Sequence, residues 1–425
     1  MPQPAQYIHV LLPGLWQEFD YLPAEATDAA SYCQGARVRV PLGRRSVIGL
    51  VWRVSASSEV SADRLKRVVS LIDAESPLSN DQLALGQWLA EYYHCPLADA
   101  LMTMLPGRLR KGSVGSAYSR VEWRISAHGL GLLETALRRA PKQQALLNWL
   151  REHHQNGNPW VGASSMSAAG FPSRLASALL EKSLVENRQV PAYPTRCASI
   201  LQGQGDQHPA TLNQEQAGAL ELIAANSGRF AVTLLDGVTG SGKTEVYLQA
   251  IANTLASAGQ VLVLIPEIGL TPQTIARFTQ RLAVPIAVLH SGLNDRERLA
   301  AWQAAANGHA RVIVGTRSAV FCAAPDLALI VIDEEHDSSY KQMEGMRYSA
   351  RDVAIKRAQD LRLPVILGSA TPALETLHNV SRGRYSVARL QQRASELQLP
   401  TIELVDTRRQ DLQGGFSDAA LALSG

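Results

Sequence analysis

Cysteine is scarce in this chain, with four in 425 residues, at 33, 95, 197 and 322. No two stand close enough for a Cys-x-x-Cys zinc pair, and nothing in their spacing suggests a disulfide framework. Free thiols in a reducing compartment are the expectation that remains. Long apolar runs are also missing. None reaches the ~18 residues of a membrane-spanning helix. No basic segment leads into an apolar stretch near residue 1, so no signal peptide is expected and the chain reads as soluble and cytoplasmic. Aromatic residues make up only 6%, and the net charge is +3, from 41 basic and 38 acidic residues. That balance excludes a histone-like protein and an acidic disordered tail. Neither an internal repeat nor a low-complexity tract is present. What is there is ordinary globular composition, 46% hydrophobic and 19% charged. At ~100–200 residues per domain, the length predicts two to four domains that need no metal or disulfide staple to fold.

Charge is unevenly placed. Residues 1–200 hold 21 basic and 16 acidic residues (+5), and residues 201–425 hold 20 and 22 (−2). The front half therefore leans toward anionic partners. It opens with short β-branched runs at Tyr7–Leu12, Ala36–Val40 and Val47–Val54, which predict a small β-rich module. A helix is predicted from Ser79 to Tyr93, and 107–115 reads as a basic linker carrying Arg108, Arg110 and Lys111. Helices at Lys142–His153 and Ser173–Lys182, then a strand at Leu184–Asn187, form a winged-helix pattern or a generic small helical domain. Residues 192–210 read as a second linker. From Thr211 onward, strands at Ala231–Leu235, Val261–Ile265, Ile286–Leu289, Val312–Val314, Leu329–Ile332 and Val365–Leu367 alternate with helices. That predicts a parallel, doubly wound α/β sheet.

Three motifs lie on that sheet. Residues 237–244 read GVTGSGKT and follow a predicted strand directly, which is the phosphate-loop pattern. Gly237, Gly240 and Gly242 let backbone N–H groups wrap phosphate around Ser241. Lys243 supplies a point charge to the β- and γ-phosphates, and Thr244 a hydroxyl for Mg²⁺. Asp333–His336 (DEEH) follows the strand Leu329–Ile332. A carboxylate there suits Asp333 to hold Mg²⁺ and Glu334 to orient the attacking water. Gly368–Pro372 (GSATP) places the hydroxyls of Ser369 and Thr371 at the next strand end.

The ordered set GSGKT, DEEH and SATP resembles the first RecA-like lobe of a superfamily 2 DExH helicase. Residues 236–247, Ile265–Gln273 (IPEIGLTPQ), Gly315–Ala319 (GTRSA) and Asp333–Gln342 are similar to the PriA family of replication-restart helicases. Phe19–Leu22 (FDYL) and Val38–Gly43 (VRVPLG) extend the resemblance to the N-terminus. It implies a β-rich domain at 1–112 that binds a DNA 3′ end, a winged-helix domain at 113–200, and an ATP-binding lobe at 201–425. In the first, Phe19 would pack on the terminal base, Asp20 accept from the 3′-OH, Gly43 allow close backbone approach, and Lys66 face phosphate. In the lobe, Gln216 would read adenine beside Glu245 of the phosphate loop. Thr271 with Gln273, and Thr316 with Arg317, would touch the DNA backbone. His336, with Ser369 and Thr371, would couple hydrolysis to the DNA side.

The stretch 339–351 resembles the family's aromatic-rich loop, in which Tyr340 and Tyr348 would stack on bases while Lys341, Arg347 and Arg351 meet phosphate. Met346 stands where that family leads one to expect tryptophan. The resemblance implies ATP-dependent 3′→5′ unwinding at stalled forks, with ATP and Mg²⁺. Forked DNA with a nascent leading-strand 3′ end, primosome proteins and single-strand-binding protein are the implied partners, in a bacterial cytoplasm near the nucleoid. A second lobe and a zinc-binding insertion of the family lie outside these 425 residues. The chain alone is therefore expected to bind DNA, to bind ATP weakly, and not to unwind. A non-catalytic fork-binding scaffold, or another DExH translocase, would share the same motifs.

Overall fold

Alternation along the apolar strands decides the layering. A computed structural model describes residues 6–393 apart from 26, 62, 116, 133–136, 194–197 and 206–207, together with a short hairpin within 412–417. The first sheet comprises β1 (Tyr7–Leu11), β2 (Glu18–Leu22), β3 (Arg37–Leu42), β4 (Arg45–Ser55), β5 (Lys66–Arg67) and β6 (Ser70–Leu71), ordered 5-2-1-4-3-6. Ile8, Val10, Val38, Val40 and Val51 fill a core on one face. Leu11 and Leu50 turn to the other, as a period of two requires.

Three helices follow, α1 (Asn80–Tyr92), α2 (Leu97–Thr103) and α3 (Gly107–Arg110). A capping box between Ser79 and Gln82 starts α1. Its apolar stripe, Leu83, Leu85 and Leu89, shares one continuous core with Ile330, Ile332 and Phe321 far along the chain. Gln82 Nε2 donates to the Phe321 carbonyl at 2.9 Å, and the Ser349 N–H to Tyr93 Oη at 3.1 Å. The helix predicted with the first module thus packs on the last one. The stretch 107–115 is correspondingly no free linker. Leu109 is buried, and Arg37 Nη1 donates to the carbonyls of Leu109 and Ser113.

The middle unit has β7 (Ser119–Ile125), α4 (Ala127–Gly131), α5 (Pro141–Gln155), β8 (Val161–Gly162), α6 (Ala163–Ala168), α7 (Ser173–Leu180) and β9 (Val185–Pro191). β7 pairs antiparallel with both β8 and β9. Leu146, Leu147 and Leu150 of α5 pack on Trp123, Met166 and Leu179.

The last unit contains β10 (Ile200–Gln202), α8 (Gln214–Ala225), β11 (Ala231–Gly237), α9 (Lys243–Ala256), β12 (Gln260–Leu264), α10 (Pro272–Arg281), β13 (Pro285–Leu289), α11 (Asp295–Ala306), β14 (Val312–Gly315) and β15 (Leu327–Ile332). The hairpin β16 (Lys341–Gln342) and β17 (Tyr348–Ser349), α12 (Ala350–Leu361), β18 (Pro364–Ser369), α13 (Leu374–Ser381) and β19 (Ser386–Leu390) complete it, and β20 (Leu412–Gln413) pairs with β21 (Phe416–Ser417). Its eight strands run 10-13-14-12-15-18-11-19. All neighbours are parallel except β10 with β13, so the segment read as a second linker supplies an edge strand that begins at Ile200. Every residue of β12 and β18 is buried, as expected of a sheet covered on both faces. Leu262 and Leu264 enter one core, and Val261 and Val263 the other. No helix among the described residues is long and apolar enough to cross a membrane.

Candidate nucleotide and DNA sites

The C-terminal ends of β11, β15 and β18 converge, and the loops after them build the first site. Gly240 and Gly242 hold φ of 80° and 82°, a region closed to most side chains, which lets the loop curl ahead of α9. Lys243 is buried and its Nζ donates to the Gly237 carbonyl at 2.8 Å, with Glu334 Oε1 at 3.7 Å. An open cavity of about 480 Å³ is lined by residues 238–245, Leu248, Arg277, Arg281, Asp333 and Glu334. The hydroxyl of Ser241 is buried there without a partner, an orphan that a phosphate oxygen would satisfy. The residues thus fit a magnesium nucleotide. Lys243 and the loop would hold phosphate, while Thr244 and Asp333 would hold the metal.

Behind Asp333 stands Tyr247. Its phenol donates to Asp333 Oδ1 at 3.1 Å. Burial and the neighbouring carboxylates hold the Tyr247 hydroxyl well above its ordinary pKa, so it stays a donor. Burial, then the charge of Glu334, raises Asp333 above the usual carboxylate range, partly offset by Tyr247 and Lys243. Tyr340 Oη donates to the Asp333 carbonyl at 2.6 Å.

Glu334 has φ of 44°, left-handed for a non-glycine residue, and this turn splits the two glutamates. Glu334 faces Lys243, whereas Glu335 enters the interior. There it accepts from Arg351 Nη1 at 2.9 Å, the Ala373 N–H at 2.8 Å and Thr376 Oγ1 at 3.0 Å. Sequence reasoning missed this role, because two adjacent glutamates carry no signal of which one turns inward. His336 engages both hydroxyls of the next motif, Nδ1 with Ser369 Oγ at 2.8 Å and Nε2 with Thr371 Oγ1 at 3.2 Å.

Several of the expected site residues hold other partners within the lobe. Gln216 is off the cavity wall. It caps α8 through Asn213, and its Nε2 donates to the Ser241 carbonyl at 2.8 Å. Glu245 is bound bidentately by Arg281 at 2.7 and 2.8 Å. Burial pushes its carboxyl up, but bonds from Arg281 and Gln249 outweigh this and leave it below the usual range. Tyr340 and Tyr348 are buried, the latter 4.8 Å from the Phe321 ring centroid, so neither presents a face for a base. Burial pushes the Tyr348 phenol up to about 12. Arg351 is committed to Glu335. Arg317 Nη1 binds the carbonyls of Ser339 and Lys341, both at 2.9 Å, and so fastens the aromatic-rich stretch. Thr316 is buried beside it, and Thr271 caps α10. Lys341, Arg347 and Gln273 are exposed. Among the described cysteines Cys322 is buried and Cys33 and Cys95 are half-buried, while Cys197 lies outside the described residues.

The second site is on the first sheet. Phe19, Asp20, Gly43 and Lys66, from three separate stretches, line one open cavity of about 900 Å³ with His9, Trp16, Arg53, Ser58 and Arg64. The pairing of β2 with β1 and with β5 brings Asp20 opposite His9 and Tyr21 opposite Lys66. Asp20 accepts from Ser58 Oγ, and His9 Nδ1 lies 2.7 Å from its other oxygen, out of line for a good hydrogen bond. A carboxylate has about four acceptor positions, so capacity is left for a ligand hydroxyl. Gly43 has φ of 60° at the turn between β3 and β4, and a Cβ there would meet nothing within 4 Å. Backbone is therefore bare on that wall. Phe19 is partly buried against the sheet core and also lines the cavity.

Residues 7–106 match the model of the PriA 3′ DNA-binding domain, and residues 213–380 that of the DEAD/DEAH box helicase. The replication restart protein PriA of Haemophilus influenzae is 40% identical over 420 residues, covering 97% of this chain and 55% of that protein. PriA of Bacillus subtilis is 32% identical over 451 residues, covering 90% and 55%. The chain thus spans about half the length of these relatives. Two separate domain matches, and one relative's identity over a span that includes both cavities, place the chain over that span in the PriA family of replication restart proteins.

Proposed function

We propose that this chain forms the fork-binding and nucleotide-binding part of an ATP-dependent 3′→5′ DNA helicase of replication restart. The observation that carries this reading is the convergence of Phe19, Asp20, Gly43 and Lys66 on one cavity. A hydroxyl-terminated strand end suits an acceptor carboxylate, a partly exposed ring and a bare backbone wall better than a phosphate-terminated end does. Its domains are 1–112 for the DNA 3′ end, 113–200 as a winged helix, a reading supported by α5, α6 and α7 beside the three-stranded sheet of β7, β8 and β9, and 201–425 for ATP.

In the lobe, Lys243 and the phosphate-loop N–H groups grip the β- and γ-phosphates, and Ser241 Oγ gains its missing partner. Mg²⁺, held by Thr244 and Asp333, supplies charge neutralisation. Tyr247 fixes the orientation of Asp333. Glu334, half-buried on the cavity wall, orients the attacking water. His336 reads the state of that wall and passes it to Ser369 and Thr371. The exposed Gln273, Lys341 and Arg347 form the DNA-backbone side. Primosome proteins and single-strand-binding protein are the assembly partners in a bacterial cytoplasm. Charge stabilisation by an arginine across a second lobe is worth about 10³–10⁵ in rate in this reaction class, so this chain alone binds nucleotide without unwinding.

Nucleotide binding tests the lobe. A fluorescent ATP analogue should bind the chain with Mg²⁺ and lose binding in Lys243→Ala, with DNA affinity retained. Equal nucleotide binding by both proteins would favour a non-catalytic scaffold.

A further inference from the structure

The DNA-end cavity contains an aromatic side chain that the reading above leaves without work. Trp16 lies in the loop between β1 and β2 and is 71% exposed. A lone exposed apolar residue is ordinary on a protein surface, so exposure by itself implies nothing. Its setting is what matters. Trp16 lines the same cavity as Phe19, Asp20 and Lys66. Its loop is also fixed by the two residues before it. Gly14 turns at φ of 75°, its N–H donates to Asp99 Oδ1 at 2.9 Å, and the Leu15 N–H donates to the Leu12 carbonyl at 3.2 Å. Leu15 packs on the sheet core. With Leu15 turned inward, Trp16 is held outward, and little ordering entropy remains to be lost on binding.

We propose that Trp16 is a second stacking platform, taking the base that precedes the 3′-terminal nucleotide. This rests on the reading of the cavity as a 3′-end site. At about 900 Å³ the cavity lies near the upper end of the ~300–1,000 Å³ typical of whole small-molecule pockets, more than one base requires. Phe19 has most of its surface committed to the core, so it can meet one base only. Glu18, Asp20 and Glu59 on the wall disfavour phosphate there, leaving bases and the sugar hydroxyl to enter while Arg64 and Lys66 take the backbone. Stacking on indole accepts any base, which suits a reader of strand ends that cannot choose their sequence.

Duplexes with a recessed 3′ end, either intact or abasic at the penultimate nucleotide, test this by fluorescence anisotropy. Base–aromatic stacking of this kind predicts about five- to hundredfold weaker binding of the abasic end by the unmodified chain. Trp16→Ala should lose the same factor on intact DNA and become indifferent to the abasic site. Trp16→Phe should recover part of it. An unchanged thermal midpoint should accompany both variants, since the side chain is exposed. Parent-like affinity of Trp16→Ala for intact DNA, or an equal loss on both duplexes, would overturn the proposal. A 3′-phosphate duplex separates the two levels. If the unmodified chain fails to distinguish 3′-OH from 3′-phosphate, the end-site reading falls. If it does distinguish them while Trp16→Ala behaves like the parent, only the role of Trp16 falls.

Discussion

Adding one methyl group at Gly368 should reach the metal-side carboxylate without touching it. A Cβ built there would lie 1.4 Å from Tyr247 Oη and 2.7 Å from its Cζ. Tyr247 is almost wholly buried, so it has no solvent to retreat into. In Gly368→Ala the phenol must be pushed from Asp333 Oδ1. Overpacking a close-fitted core costs typically 1–3 kcal/mol, and a lost hydrogen bond to a charged group about 1.5–3 kcal/mol. The packing part alone predicts a fall of roughly 2–12 °C in the Tm of a lobe this size. Mg²⁺-dependent nucleotide affinity should fall as well, because Asp333 loses the donor that orients it. Tyr247→Phe removes the atom in closest conflict. The double variant should therefore melt above Gly368→Ala by more than additivity allows, with a coupling of about 0.5–3 kcal/mol. Melting curves for the four proteins, with titrations of nucleotide at fixed Mg²⁺, measure both effects. A Gly368→Ala protein of parental stability, or a cycle that is additive within error, would refute the reasoning.

Two further outcomes follow from buried groups. Glu335→Ala should destabilise the lobe by about 3–5 kcal/mol in denaturant unfolding, since Arg351 would lose its buried partner and keep only the more exposed Asp352 and Glu375, while the Ala373 and Thr376 bonds are lost as well, and Glu335→Gln should cost less. Burial pushes the Cys322 thiol up to about 12, so at pH 8 only about one molecule in ten thousand carries the thiolate. Thiol reagents should label Cys33 and Cys95 in the folded chain and reach Cys322 only on unfolding. Labelling of Cys322 at a comparable rate would contradict its burial.

The β strands and the nucleotide motifs were legible because their signals are local. A strand buried on both faces must be apolar throughout, and a loop that wraps phosphate must be glycine-rich before its lysine. Tyr340 and Tyr348 were misread because aromatic residues among charges look like a binding surface. Their partners are the Asp333 carbonyl, seven residues back across the DEEH turn, and the ring of Phe321 in the turn after β14, and no local pattern signals either. The partners of Arg351 and Gln216 inside the lobe are equally silent in the sequence. The basic stretch 107–115 looked like a linker because its one buried anchor, Leu109, is outnumbered by polar neighbours. Phe19, Asp20, Gly43 and Lys66 were found by resemblance alone, since no spacing rule links positions that a sheet brings together.

The reading of the N-terminal cavity is tested most directly by one affinity ratio. Forks that differ only in a 3′-OH or a 3′-phosphate on the nascent leading strand should bind differently. A lost hydrogen bond to Asp20, and a phosphate brought against its carboxylate, predict at least about tenfold preference for 3′-OH. Asp20→Asn should reduce that preference toward unity by admitting the phosphate end. Equal affinity of the unmodified chain for the two forks would contradict the account.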